Sequence, residues 1–267
     1  MTPSMDRKNI LYSLFAHPLG RNTSLDDPHT TELRRQIIRE KEFLNQIYRD
    51  WYRLLIEAIP AGQGIVLEIG SGAGFLKEIQ PAVLTTEIFT CLGVDAVLDA
   101  QRLPFPPRSI RAILMVDVMH HLPRVREFFL EANRCVIPGG VVAMVEPWKT
   151  SWSNWIYRHL HHEPFDPQAP GWEFSSSGPL SGANGALPWI IFERDRSIFE
   201  SEFPGWDIEQ LKPMMPFRYL VSGGVALRSF LPGGAYSFVC RAENFLERWI
   251  NHLGMFAFVL LRRNAIR

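Results

Sequence analysis

The feature that most constrains this chain is a short apolar run that ends in alternating glycines. Residues 65–69 (IVLEI) have the composition of a buried strand, and Gly70, Gly72 and Gly74 follow directly. Glycine has no Cβ, so the backbone can turn sharply at these positions and approach a ligand closely. A proline allows only a brief helix over residues 75–80. The pattern therefore predicts a strand, a tight turn and a helix whose first N–H groups face a ligand.

The remaining periodicity predicts an α/β fold. Apolar residues recur with helical spacing in two segments, residues 30–59 and residues 125–136. Thr30 or Thr31 is the expected N-cap of the first segment. Strands that alternate with helices indicate a doubly wound, mostly parallel sheet. On spacing alone a mixed α+β fold remains open. Including residues 65–69, we predict seven strands; the other six are residues 83–88, 94–98, 110–116, 141–145, 206–211 and 255–262.

Two residues beside the glycines narrow the kind of ligand. A dinucleotide-binding loop has a third glycine in the GxGxxG spacing, and here that position is Phe75. The acidic Glu68 precedes the first glycine by two positions. A carboxylate there would repel a pyrophosphate but would attract the ammonium group of a methionine moiety.

Four ordered segments resemble the class I S-adenosylmethionine-dependent methyltransferase superfamily, and specifically its type 11-like group. The match covers roughly residues 60–146, and later segments resemble a bacterial branch of that group. Four motifs in the right order are far more specific than one glycine loop. The segments are Glu68-x-Gly70-x-Gly72-x-Gly74, the loop 99–105 (DAQRLPF), the segment 117–122 (DVMHHL) and the turn 134–140 (RCVIPGG).

The resemblance implies S-adenosylmethionine as cofactor, with the adenine amino group donating to Asp99. An acid at the end of the second strand usually binds both ribose hydroxyls, and Glu87 is the candidate, with Asp95 as the alternative. Asp99 follows Glu87 by only twelve positions, which leaves no room for the customary helix between these strands. The expected cofactor-binding residues are Glu68, Gly70, Ser71, Gly72, Gly74, Glu87, Asp99, Ala100 and Asp117.

The resemblance also implies a division of the chain within one domain. We expect an N-terminal helical cap over residues 1–60 and a cofactor-binding core over residues 61–146. Residues 147–205 would form a substrate-side lid, because the stretch 163–189 is rich in Pro, Gly, Ser and aromatic residues. Residues 206–267 would supply the last two strands with a helical insertion between them.

The candidate catalytic residues are histidines, because a hydroxyl acceptor benefits from a general base and the pKa of histidine lies near neutrality. His121 follows the fourth strand, where the acceptor should lie. His161 and His162 belong to a second cluster with His159 and Glu163. A packing role for each group remains open. We expect no metal site, since the HxHHE spacing matches no recognised ligand set.

Composition limits the partners. Lys plus Arg and Asp plus Glu both number 28, so no basic surface for nucleic acid is indicated. Three widely spaced cysteines favour a reducing cytoplasm, and the longest apolar run, residues 255–261, is too short to cross a membrane. We expect a cytoplasmic enzyme that methylates a small molecule, preferably an oxygen of a saccharide or other metabolite. The alternatives are a non-catalytic binding or assembly protein and an NAD-dependent oxidoreductase; the oligomeric state is not defined.

Overall fold

A computed structural model describes residues 26–160, 163–178 and 180–264, which contain one seven-stranded sheet. The strand order is β3-β2-β1-β4-β5-β7-β6, and β7 runs antiparallel to the other six strands. The predicted doubly wound, mostly parallel sheet is confirmed, and the mixed α+β alternative is wrong. The strands are β1 (Ile65–Ile69), β2 (Leu84–Glu87), β3 (Ala96–Val97), β4 (Ile110–Val116), β5 (Val136–Pro147), β6 (Trp206–Met214) and β7 (Phe256–Arg263).

Helices cover both faces of this sheet. Short 3-10 turns lie at Met119–His121, Gly233–Ala235 and Glu247–Trp249, and a π-helical turn lies at Ile190–Arg194. Within the described ranges, no helix is both long and apolar enough to cross a membrane. The α-helices are α1 (Pro28–Glu40), α2 (Glu42–Glu57), α3 (Leu76–Ile79), α4 (Val125–Cys135), α5 (Ser151–Leu160), α6 (Leu187–Trp189), α7 (Arg196–Glu202), α8 (Arg218–Ser222), α9 (Tyr236–Asn244) and α10 (Ile250–Leu253).

The N-terminal helix predicted over residues 30–59 is in fact two helices. Lys41 separates α1 from α2 with an extended backbone, at φ −86° and ψ 90°. Its ammonium group donates to the carbonyl oxygens of Gly224 and Leu227, the latter at 2.8 Å. These contacts fasten the helical pair to the segment between β6 and β7, and periodicity within the helices carries no sign of them.

The first helix also begins earlier than the sequence indicates. Asp27 is its N-cap, and its carboxylate accepts from the backbone N–H of His29 at 2.9 Å. The prediction of Thr30 or Thr31 as the cap is therefore wrong. Pro28 occupies the first helical position, where its missing N–H costs nothing. Both threonines lie instead on the buried side of α1.

The two faces of the sheet bury alternate residues of its central strands, as the two-residue period of a strand requires. Leu67 and Ile113 pack into one apolar layer, with α4 and the insertion over residues 147–205. Val66 and Leu114 pack into the opposite layer, beneath α2. No helix lies between β2 and β3, which confirms the shortened connection predicted from the spacing of Glu87 and Asp99.

The insertion is anchored to the core through aromatic packing. Phe129 of α4 is fully buried, and its ring lies 5.1 Å from that of Phe199 and 5.2 Å from that of Phe203. Phe192 contacts the same ring edge-on at 6.2 Å. Because these three partners come from the insertion, its second half is part of the hydrophobic core.

Replacing Phe129 with alanine tests this anchoring. We expect Phe129→Ala to lower the free energy of unfolding by about 3–5 kcal/mol, because it removes a ring from a packed core. The neighbouring variant Leu130→Ala is the control; Leu130 is 62% exposed, so a change within about 0.5 kcal/mol is expected. Denaturant titrations measure both, and equal effects would contradict the packing.

Candidate active site

A cavity of about 330 Å³ opens at the carboxyl ends of β1, β2 and β4. Open α/β sheets bind ligands at this edge, where successive strands leave in opposite directions. Most of the predicted cofactor-binding residues line it: Glu68, Gly70, Gly74, Glu87, Asp99, Ala100 and Asp117. The structure thus brings together residues that are up to 49 positions apart in sequence, from Glu68 to Asp117.

The glycine loop is shaped by neighbours that a side chain would displace. Gly70 has φ +70°, a left-handed conformation, and a Cβ there would overlap Val118. At Gly74 a Cβ would overlap the hydroxyl of Tyr52. That hydroxyl accepts from the backbone N–H of Phe75 at 3.1 Å, which satisfies an unpaired donor at the start of α3. The helical cap therefore sets the form of the loop.

Ser71 and Gly72, two of the predicted cofactor-binding residues, belong to the glycine loop but do not line the cavity. The Ser71 hydroxyl accepts from the N–H of Thr86 at 3.2 Å, which ties the loop to β2. The N–H of Gly72 donates to the Glu87 carboxylate at 3.0 Å. A Cβ on Gly72 would lie 2.5 Å from both that carboxylate and the Thr31 side chain. Through these contacts, Ser71 and Gly72 stabilise the conformation of the loop.

The two candidate ribose acids differ clearly in position. Glu87 is buried at the end of β2 and lines the cavity. Asp95 lies outside the cavity lining, where its carboxylate accepts from the N–H and the hydroxyl of Thr85, both at 2.9 Å, and pairs with Lys77. Only Glu87 is in a position to meet a ligand in the cavity.

Glu68 is buried, and burial raises the pKa of its carboxyl group to about 7, with a further contribution from the charge of Glu87. A carboxyl group whose pKa lies near neutrality is partly protonated at pH 7, and a cation bound beside it favours the ionised form. Glu68 is therefore arranged to respond to a positively charged ligand.

Asp117 occupies the point where β4 leaves the sheet. Its backbone has φ +61°, which is uncommon for a residue with a side chain and costs about 1–2 kcal/mol. This conformation leaves the carboxylate 36% exposed, and the residue lines the cavity. Desolvation raises the pKa of the carboxyl group to about 6, although the nearby His120 opposes that rise.

A histidine pair follows Asp117. His120 is fully buried, and its Nδ1 lies 2.8 Å from Oε2 of Glu146. Burial favours the neutral ring, but Glu146 and Glu163 raise the pKa of His120 well above its usual value. His121 lines the cavity, and its Nδ1 lies 3.2 Å from the carbonyl oxygen of Gly182. Burial, together with the charge of His120, lowers the pKa of His121 to about 4, so this ring is neutral at pH 7.

The other candidate catalytic residues, His161 and His162, lie outside the described residues. Glu163, from the same sequence cluster, does reach the histidine pair, at 3.5 Å from His120 Nε2. Glu146, near the end of β5, is completely buried beneath the turn and does not line the cavity.

Several lining residues were missed by the sequence analysis. They come from α1, α2, the insertion and the segment between β6 and β7, and only their tertiary position reveals them: Thr31, Arg34, Tyr52, Gly178, Leu180, Tyr219 and Val225. The tryptophans of the insertion do not line the cavity. Trp148 and Trp172 are buried in the core, and they fill the fold instead.

Residues 67–144 match the model of a family described as a methyltransferase domain. Over these residues the chain is similar to methyltransferase domains, and the predicted resemblance to the class I S-adenosylmethionine-dependent methyltransferase superfamily is confirmed. The methyltransferase prediction is confirmed, and S-adenosylmethionine is the cofactor. Phe75, at the third-glycine position of a dinucleotide loop, packs edge-on against Tyr52 at 5.1 Å, so this methyltransferase loop lacks the geometry of the oxidoreductase alternative.

Solved structures of other methyltransferases resemble the chain. Geranyl diphosphate C-methyltransferase from Streptomyces coelicolor is 10% identical with a TM-score of 0.48, over 94% of this chain and 89% of the other. Phosphoethanolamine N-methyltransferase 2 from Haemonchus contortus is 15% identical with a TM-score of 0.48, over 93% and 60%. An S-adenosylmethionine-dependent methyltransferase from Mesorhizobium loti is 13% identical with a TM-score of 0.44, over 78% and 95%. No curated protein matches the sequence.

The pKa of Glu68 predicts how cofactor affinity depends on pH. Only the ionised carboxylate attracts the cofactor's ammonium, so we expect the affinity for S-adenosylmethionine to rise from pH 5.5 through pH 7. Above about pH 8 the ammonium itself loses its proton and the rise ends. Calorimetric titration across this range measures the profile.

Two variants isolate the effect. Glu68→Gln should bind more weakly and lose the slope around pH 7, whereas Glu127→Gln, at a partly buried position of α4 outside the cavity lining, should keep the original profile. A slope that survives in Glu68→Gln would exclude Glu68 as its source.

Proposed function

We propose that this methyltransferase transfers the methyl group of S-adenosylmethionine to a hydroxyl oxygen of a small molecule, such as a saccharide or another metabolite. The observation that carries the proposal is the position of Asp117. A carboxylate that is able to accept a proton opens into the same cavity as the glycine loop that binds the methyl donor. An amine or a carbanion would not need such a group, but a hydroxyl does.

In this proposal the cofactor lies along the cavity from Glu68 to Asp99, which both line it. We assign its ammonium group to Glu68 and its carboxylate end to the backbone of the loop at Gly70 and Gly74. The ribose hydroxyls then reach Glu87, and the adenine lies against Asp99 and Ala100. In this arrangement the sulfonium methyl points toward Asp117, at the end of β4.

The acceptor would enter from the opposite wall. That wall is formed by Leu180 of the insertion and by Tyr219 and Val225 of the segment between β6 and β7. These side chains are apolar or aromatic, which suits a small ring with few charges. Nucleic acid is not part of the proposal, because the chain has equal numbers of acidic and basic residues.

The reaction needs little beyond positioning, because the donor is already activated. The acceptor oxygen attacks the methyl carbon, a C–O bond forms, and the C–S bond breaks with its electron pair left on sulfur. The hydroxyl proton passes to the Asp117 carboxylate. His121 lines the same cavity with a neutral ring and stays a predicted contributor. His161 and His162 stay predicted contributors.

The ribose assignment gives a test of cofactor placement. Glu87→Gln should weaken the affinity for S-adenosylmethionine by roughly 10-fold or more, since charge-assisted hydrogen bonds contribute about 1.5–3 kcal/mol. Asp95→Asn is the matched control, because Asp95 lies outside the cavity lining, and a change below about threefold is expected. Calorimetric titration measures both; the reverse order would reassign the ribose to Asp95, and an absence of cofactor binding in the unmodified chain would refute the proposal.

The role of Asp117 is tested by turnover. Formation of S-adenosylhomocysteine is followed with pools of saccharides and other hydroxylated metabolites, and the methylated product is identified by NMR. With the acceptor so found, Asp117→Asn should lower kcat by about 10²–10⁴-fold, the usual contribution of a general base. Cofactor affinity is measured in parallel, to separate catalysis from binding. A kcat within threefold of the original, or a product methylated on nitrogen or carbon, would contradict the oxygen-acceptor mechanism.

A further inference from the structure

The histidine pair and Glu163 form a cluster that methyl transfer as described above does not explain. His120 Nε2 lies 3.5 Å from Glu163 Oε2, and His121 Nε2 lies 4.0 Å from Glu163 Oε1. The potential ligand atoms of the three residues lie within 4.8 Å of one another. The His120 ring is completely buried, yet its Nε2 forms no hydrogen bond with any residue in the described part of the chain.

The second nitrogen of each ring is held in place by another acceptor. His120 Nδ1 contacts the Glu146 carboxylate at 2.8 Å, and His121 Nδ1 contacts the Gly182 carbonyl oxygen at 3.2 Å. A carbonyl oxygen can only accept, so His121 carries its proton on Nδ1 and its lone pair on Nε2. This is how metal-binding histidines are oriented: the outer N–H donates to a carboxylate or a backbone carbonyl, and the inner nitrogen faces the ion.

We propose that His120, His121 and Glu163 bind one divalent metal ion of the zinc type, through the two Nε2 atoms and the carboxylate. Two imidazoles and one carboxylate are a ligand set that zinc and ferrous ions share, and magnesium prefers an all-oxygen set. Ligand bonds of about 2.0–2.2 Å at tetrahedral angles place ligand atoms about 3.4 Å apart. The two histidine-to-carboxylate separations, 3.5 and 4.0 Å, exceed that value by less than about an ångström.

The spacing of the ligands explains why the sequence did not predict this site. His120 and His121 are adjacent, and Glu163 follows 42 positions later in the insertion. Adjacent histidines such as His120 and His121 match no recognised metal-binding motif. The expectation of no metal site was based only on the HxHHE pattern of residues 159–163. His120 lies between the carboxylates of Glu146 and Glu163, at 2.8 Å from the first and 3.5 Å from the second.

A metal at this point would lie beside the acceptor, because His121 lines the cavity. A tetrahedral ion with three protein ligands keeps one position open, and an acceptor hydroxyl bound there loses its proton more readily. Asp117 would still receive that proton. This part of the inference rests on the proposed function, whereas metal binding itself can be tested without any acceptor.

The test measures metal binding to the full chain. Protein treated with a chelator is titrated with Zn²⁺, and bound zinc is counted after desalting. We expect about one ion per chain, and a Co²⁺-loaded sample should show the d–d absorption of a four-coordinate site. Glu163→Gln and His121→Asn should each weaken zinc affinity by at least about tenfold, the range found when support for a metal site is removed.

Matched controls separate the site from surface binding. Glu173→Gln, in the same insertion, and His252→Asn, on α10, replace exposed residues of the same types and should change zinc affinity less than about twofold. Millimolar Mg²⁺ should not displace the zinc. A double variant, His161→Asn with His162→Asn, tests the other histidine cluster as the source of zinc binding. If this double variant lost zinc while His121→Asn kept it, the proposed ligands would be wrong.

Cofactor titration of the same samples distinguishes the two proposals. Less than about 0.2 zinc per chain in protein that still binds S-adenosylmethionine would overturn the metal site alone. Zinc binding that is unchanged in both Glu163→Gln and His121→Asn would do the same. Zinc binding without any cofactor binding would instead count against the proposed function, and the thermal unfolding of each variant shows whether it is folded.

Discussion

The turn that leaves β4 depends on the buried carboxylate of Glu146. One of its oxygens accepts from the backbone N–H groups of Val118 and Met119, at 2.9 and 2.7 Å, and the other contacts His120. A carboxylate buried this completely is tolerated because each oxygen has a strong partner. Through these three contacts, the end of β5 holds the backbone on which the acceptor side of the cavity is built.

Several features of the site follow from that turn. Asp117 is held at a positive φ just before it, and Val118 fills the space that makes a side chain at position 70 impossible. The same turn places His120 between Glu146 and Glu163, with His121 on the cavity wall. The glycine loop and the histidine pair are thus both positioned by one short segment, and a change at Glu146 would disturb both.

The cofactor side could be anticipated because its residues follow one another along the chain in a fixed order. Seven of the nine predicted positions line the cavity, and the other two, Ser71 and Gly72, shape the loop from behind. The spacing of neighbouring residues shows where glycines allow the backbone to turn and which acidic residues lie at the end of a strand. The acceptor side could not be anticipated in this way, since Leu180, Tyr219 and Val225 come from irregular segments whose position depends on packing.

The sequence by itself determined the class of sheet, the seven strand segments in outline and the glycine loop, because these depend on local spacing, and the resemblance of four ordered segments indicated the methyl donor. It also indicated the missing helix between β2 and β3. Only the tertiary structure decided that Glu87 and not Asp95 faces the cavity, that α1 and α2 separate at Lys41, and that Glu163 meets the histidine pair. Those outcomes depend on contacts between residues far apart in the chain, and no local pattern records them.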